Sequence, residues 1–201
     1  MIKKQFKFTI LIIVLIFCKI NVSNAQSDTI SYQIFDFTIE PGVFFPNSQN
    51  FQYSYNSKSA FNFSFGAKFG KTDWKVLPWI KFSRYQSKID SLITTEVADF
   101  AIAKRNQISV GIVNPVKLRN NDYLQFKCGL SYNLISEEMT ELVSKTPGFI
   151  MSVGYMKRFT KFFTYYVDLN YDYAMSESGY YFKDWSGFLI NCGLSVNIAA
   201  E

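Results

Sequence analysis

The sequence predicts an all-β fold, an eight-stranded antiparallel up-and-down transmembrane β-barrel, on three observations. The stretch FFTYYVDLNYDY at 162–173 is apolar or aromatic at Phe163, Tyr165, Val167, Leu169, Tyr171 and Tyr173, with Thr164, Tyr166, Asp168, Asn170 and Asp172 between them. A period of two over this length describes a strand with one greasy and one wet face, because successive side chains leave a sheet on opposite sides. The same alternation recurs in segments of about ten residues, the sequence mark of a membrane barrel. Short links alternate with longer polar ones, as periplasmic turns alternate with external loops.

Residues 1–25 read as a secretory signal peptide. Lys3, Lys4 and Lys7 form a basic start, 10–17 an apolar core, and Ser23, Asn24 and Ala25 a small-residue cleavage site before Gln26. A single helical anchor is disfavoured: a span needs about 20 apolar residues, and Lys19 interrupts this one. Cys18 raises a lipid-anchored cysteine as a further alternative, against which stands the bulk of Phe17 before it. Lys3, Lys4, Lys7 and Lys19 leave with the segment, so a formal charge of +5 falls to 17 basic against 16 acidic residues. A nearly neutral mature chain gives no charge argument for nucleic acid. Cys128 and Cys192 are too few to staple a small fold; they lie on apolar strand faces and read as free, lipid-facing hydrophobes, with pairing as the alternative.

The elements follow in order. Residues 26–33 are a short periplasmic lead, and the barrel domain occupies 34–198. Strand one, 34–45, sets Phe35, Phe37, Ile39, Val43 and Phe45 against Asp36, Thr38, Glu40 and Gly42. The Asn-, Ser- and Gln-rich 47–59 is a loop. Strand two, 60–70, alternates Phe61, Phe63, Phe65, Ala67 and Phe69 with Asn62, Ser64, Gly66, Lys68 and Gly70, and 71–73 is a tight turn. Strand three, 74–85, contains Pro78, which predicts a bulge or an irregular start. A long loop with extended arms is expected at 87–101. Strand four, 104–113, opposes Ile108, Val110 and Ile112 to Arg105, Gln107, Ser109 and Gly111; 114–122, with Pro115, is a turn. Strand five, 123–134, opposes Leu124, Phe126, Cys128, Leu130 and Tyr132 to Gln125, Lys127, Gly129 and Ser131. An external loop follows at 135–147, with a turn of helix at 137–143 as the alternative. Strand six, 148–159, points Phe149, Met151, Val153 and Tyr155 outward and Ser152, Gly154, Met156 and Arg158 inward; Thr160 and Lys161 turn into strand seven. A polar loop at 175–184 precedes strand eight, 185–198, and a tail at 199–201 ends the chain.

The wet face holds Asp36, Glu40, Lys68, Arg105, Lys127, Arg158, Asp168 and Asp172 among Gly, Ser and Asn. Turned outward, as in a soluble lipocalin-type barrel, it would force stacked Phe and Tyr into a small interior. Turned inward, its four acids and four bases form a hydrogen-bonded plug while Phe, Leu, Val and Ile meet lipid. The second arrangement also satisfies every backbone group in lipid by closing the sheet. Trp74, Tyr85, Tyr123, Tyr132, Tyr155, Tyr165, Tyr173 and Trp185 are candidates for interfacial girdles. On these faces Leu169→Arg is expected to hinder insertion more than Asn170→Arg.

The chain has no histidine, which removes His-based triads, the usual His-containing zinc sites and an imidazole switch. It has neither a GxGxxG nor a GxxxxGK[ST] phosphate loop. A paired-carboxylate site built from Asp168 and Asp172, with Asp36 and Glu40 near, is weighed against an ion-pair network that fills the lumen; the filled interior of an eight-stranded barrel favours the network and disfavours a porin channel. No catalytic residue, metal or cofactor is expected.

The glycine-plus-aromatic strands FNFSFGAKFG and FIMSVGYMKRF, with the leader and the eight alternating segments, resemble the small outer-membrane β-barrel proteins of Bacteroidetes type, described as PorT-like. The end Asn197-Ile198-Ala199-Ala200-Glu201 departs from the terminal aromatic common in such barrels. The resemblance implies a non-enzymatic protein of the cell outer membrane, with a structural, surface-presentation or complex-accessory role. Its partners would be outer-membrane lipid, the barrel-assembly machinery and a protein at the external loops. The alternatives are a lipid-binding or lipid-modifying barrel and a soluble periplasmic ligand-binding barrel.

Overall fold

The computed structural model describes residues 33–47, 59–71, 74–89, 101–119, 121–137, 143–160, 162–178 and 181–200. The expected signal peptide at 1–25, the lead up to residue 32, the middle of the 47–59 loop and residues 138–142 of the alternative helical turn at 137–143 lie outside them, while Glu137 and Val143 themselves belong to strands. Among the described residues there are nine strands: β1 Gln33–Pro46, β2 Ala60–Lys71, β3 Leu77–Ile89, β4 Ala101–Arg119, β5 Asp122–Glu137, β6 Val143–Arg158, β7 Phe163–Ser178, β8 Tyr181–Asp184 and β9 Gly187–Ala200. Strands β1 to β7 and then β9 pair antiparallel in chain order, and β9 returns to β1, so eight strands close a barrel. The short β8 pairs with the far end of β7, beyond the last β7 to β9 pair.

Closure is staggered. A row of paired residues that starts at Asp36 runs through Lys68, Trp79, Gly111, Gly129, Ile150, Asp172 and Gly187 and returns to β1 at Pro46, ten residues further along. Such a stagger tilts the strands, and eight strands give an interior that side chains can fill. The row itself shows how. Trp79 shares it with Gly111 and Gly129, and a Cβ on Gly129 would stand 2.9 Å from Trp79 Cζ2 and 2.5 Å from the Val110 carbonyl oxygen. Gly129 therefore leaves the space in which the indole lies, while a Cβ on Gly111 would meet the backbone of Cys128 and Gly129. Gly129→Val is expected to cost about 1–3 kcal/mol by overpacking, measured as a lower urea midpoint in lipid vesicles; an unchanged midpoint would remove Gly129 from this role.

Pro78 and Pro115 sit where the ladder has one side. Pro78 pairs with Ile112 in regular register, one residue beyond the last β2 pair of Lys68 with Trp79, so its missing N–H costs no bond to β2. Of the bulge or irregular start expected near Pro78, no bulge is present among the described pairs, whose one register shift falls between Lys117 and Arg119, while the start is irregular: 74–76 lie outside β3, which begins at Leu77. Pro115 pairs with Gln125 after the β3 partner strand has ended at Val113, so 114–119 continues β4 and is not the expected turn. Several stretches read wholly or partly as loops are likewise ladder. Ser87 to Ile89 pair with Ala101 to Ala103, Leu134 to Ser136 pair with Val143 to Lys145, and Met175 to Ser178 pair with β8. Backbone hydrogen bonds build these hairpins whatever the side-chain polarity, which is why the loss of an apolar face misread them as loops.

Alternation sorts the faces. Phe163, Tyr165, Val167 and Leu169 are exposed on the outside of β7, while Thr164, Tyr166, Asp168, Asn170 and Asp172 are buried inside. Every other barrel strand adds exposed apolar residues to that belt, from Phe35, Phe37 and Ile39 on β1 to Ile190, Leu194 and Val196 on β9. Cys128 and Cys192 are free thiols on this outer face, half-buried and exposed respectively. Inside, an apolar cluster of Phe44, Tyr85, Ile135, Trp185, Leu189 and three alanines caps the end carrying the longer hairpins. A second cluster of Leu77, Trp79, Val113 and Ile150 lies toward the end with the short turns.

Candidate functional site in the barrel interior

Between and beside these two clusters the lumen is polar and ionic. On β1, Asp36 precedes Glu40 by four positions on one inward face, and on β7, Asp168 precedes Asp172 in the same way, so four carboxylates enter the lumen at three levels. Each meets a base from across or beside it. Near the turns Asp36 Oδ2 is 3.4 Å from Lys68 Nζ. In the middle Glu40 Oε2 is 3.3 Å from Lys81 Nζ, and Asp168 pairs with Lys127. Toward the hairpins Asp172 Oδ1 is 2.8 Å from Arg105 Nη2, with both side chains wholly buried.

Neutral donors complete the carboxylates. Glu40 also accepts from Asn191 Nδ2 at 3.1 Å and Thr38 Oγ1 at 3.3 Å. Asp168 accepts from Gln125 Nε2 at 2.5 Å. Asp172 accepts from Tyr85 Oη at 2.6 Å and from Gln107 Nε2 at 2.9 Å. Arg105 donates Nε to Asn133 Oδ1 at 2.8 Å and Nη1 to the Trp185 carbonyl at 3.0 Å, and its guanidinium carbon lies 4.5 Å from the Tyr85 ring centroid. Burying two charges costs several kcal/mol per ion unless the remaining donors and acceptors are satisfied; Glu40, Asp168 and Asp172 find neutral donors in this way, whereas Asp36 Oδ1 is buried without a hydrogen-bond partner. Among the described residues these ion pairs balance, because each of the four carboxylates has one cation.

Of the eight residues singled out by sequence, Asp36, Glu40, Lys68, Arg105, Lys127, Asp168 and Asp172 are buried in the lumen. Arg158 is half-buried at the turn end, its guanidinium carbon 5.9 Å from the Tyr123 ring centroid. Lys81, which partners Glu40, escaped sequence reasoning because Pro78 obscured the faces of β3. The alternation of Ile80 and Phe82 outward with Trp79, Lys81 and Ser83 inward was the available signal. Tyr85 and Trp185 are corrections of another kind: expected in the girdles, both are fully buried, Tyr85 as the donor to Asp172 and Trp185 as the cover over Arg105. Aromatic residues near a strand end face either lipid or lumen, and parity decides which. Tyr132, Tyr155 and Tyr165 are exposed on the outside. Trp74 and Tyr123 are also corrections: both line the cavity at the turn end of the lumen.

A cavity of about 20 Å³ lies beside Glu40, Lys81 and Lys127. That is room for about one water. No two of the carboxylates share an open cleft there, since each is engaged with its own cation. Among the described residues no group of three or more His, Cys, Asp or Glu side chains converges as a metal site.

No protein-family model and no curated protein matches the chain. Solved structures match it in fold. Neisserial surface protein A superposes with a TM-score of 0.55 at 13% identity, over 84% of this chain and 99% of that one. The outer membrane protein OprG from Pseudomonas aeruginosa gives 0.58 at 9% identity, over 84% and 97%. A major outer membrane protein from Thermus thermophilus gives 0.51 at 12% identity, over 82% and 99%. The chain has the fold of a small eight-stranded outer-membrane β-barrel, and its apolar belt is the surface that such a barrel turns to lipid.

Proposed function

We propose that this protein is a non-enzymatic outer-membrane barrel, closed to solutes, that acts through the surface it presents rather than through its lumen. The observation that carries this reading is the filled interior: four ion pairs with their neutral donors, capped by apolar clusters toward both ends. In this reading residues 1–25 are the export signal, and both ends of the barrel domain and its short turns face the periplasm. The hairpins β3 to β4, β5 to β6 and β7 to β8 carry the surface offered to a protein partner, and the assembly machinery and outer-membrane lipid are the remaining partners. The glycine-plus-aromatic strands support a kinship with the PorT-like barrels of Bacteroidetes.

Reconstitution of the purified protein in a planar bilayer tests the closed lumen. The expected result is no steady conductance from protein that shows a heat-modifiable band on an unboiled gel. Reproducible open steps from such protein would overturn the reading and make the ion pairs a gate.

A further inference from the structure

We propose that the turn-end mouth of the barrel is a binding site for a small organic anion, a carboxylate carried on a short apolar body. A cavity of about 210 Å³ opens there among the strand ends. That is room for several waters, or one small ligand in their place. Leu77 and Val113 in its wall belong to the buried cluster with Trp79 and Ile150 that lies toward this end.

Its charge is unbalanced, whereas the four ion pairs balance. Lys68, Lys71 and Arg158 line it against the single carboxylate of Asp36. The Lys68 ammonium is mostly buried; beyond Asp36 Oδ2 at 3.4 Å, it donates to the thioether of Met156 at 3.7 Å, a weak acceptor for a group with three strong donors. Among the described residues neither Lys71 nor Arg158 has a carboxylate partner. A guanidinium fork and an ammonium at one mouth suit a planar, two-oxygen anion. The apolar wall of Leu77, Val113 and Met156 suits a hydrocarbon body behind it. The site stands on the fold and on this pocket, independently of whether the lumen conducts.

The test is titration of the folded full-length barrel in zwitterionic micelles with hexanoate, hexylamine and inorganic phosphate, followed by the indole N–H resonance of Trp74, which lines the pocket. Trp74→Phe assigns that resonance. Hexanoate is expected to shift it saturably, hexylamine to give no saturable shift, and Arg158→Gln to weaken hexanoate by about tenfold, the worth of one charge-assisted hydrogen bond. Should Arg158→Gln fail to give the heat-modifiable band, Lys71→Gln, an exposed position, carries the same test with an expected loss of about threefold. Equal affinity in the folded variant, equal saturation by hexylamine, or saturation by phosphate with hexanoate silent would each overturn the proposal.

Discussion

Asp172→Ala is expected to destabilise the barrel by about 3–5 kcal/mol, the typical consequence of removing one partner from a buried ion pair. Asp172 is the acceptor for Arg105, Tyr85 and Gln107 at once, and none of these has solvent to turn to. The largest part of the loss belongs to Arg105, whose guanidinium would keep Asn133 and the Trp185 carbonyl but lose its counter-charge. The measurement is the urea midpoint and slope in lipid vesicles, alongside the fraction of protein in the heat-modifiable band. A paired replacement separates charge from packing. Arg105→Met with Asp172→Leu is expected to recover most of the stability, since apolar groups of similar volume substitute for a buried pair at little cost. A loss below about 1 kcal/mol for Asp172→Ala, the range of an exposed pair, would mean that water reaches this tier of the lumen.

Leu169→Arg is expected to cost about 2–4 kcal/mol, because an arginine facing the middle of the bilayer has neither water nor a counter-charge. Leu169 is exposed at the centre of the outer face of β7. Leu118→Arg, on the outer face near the turn end of β4, is expected to cost only about 0–1 kcal/mol, as charges do near the interface. Folding both variants into vesicles and comparing their unfolding midpoints reads depth directly. Equal costs would place the outer face of β7 away from the bilayer centre. The comparison with Asn170→Arg that the strand pattern suggests loses its power, because Asn170 is not a roomy lumen position. It is fully buried and donates Nδ2 to the Leu189 carbonyl at 3.2 Å, so an arginine there would overpack the interior by about 1–3 kcal/mol and add an unpaired charge.

The fold was legible wherever an outer face was apolar. On β2 the residues Phe61, Phe63 and Phe65 declare one face and Asn62 and Ser64 the other, and the structure keeps that division. Past the apolar belt the same backbone ladder continues without a strict alternation, as in Leu134-Ile135-Ser136, so the ends of β3, β4, β5 and β6 and the whole of β8 carried no periodic signal. The prolines misled for a related reason. Pro78 and Pro115 argue against a strand that is paired on both sides, and whether a strand end is paired on both sides is a property of its neighbours.

What the sequence determined by itself was which residues share the lumen, since a period of two is local and needs only the strand to exist. Asp36, Glu40, Asp168 and Asp172 were assigned to one face without knowledge of any partner. Only the tertiary structure decided who meets whom. Tyr85 and Asp172 are 87 positions apart and Lys127 and Asp168 are 41 apart, and nothing in either neighbourhood names the other. The ten-residue stagger of the closed sheet rotates and lifts each strand relative to the next, and the narrow bore then selects which inward rows touch across it. Pairing inside the barrel is therefore set by closure, whereas the division between lumen and lipid is set by alternation.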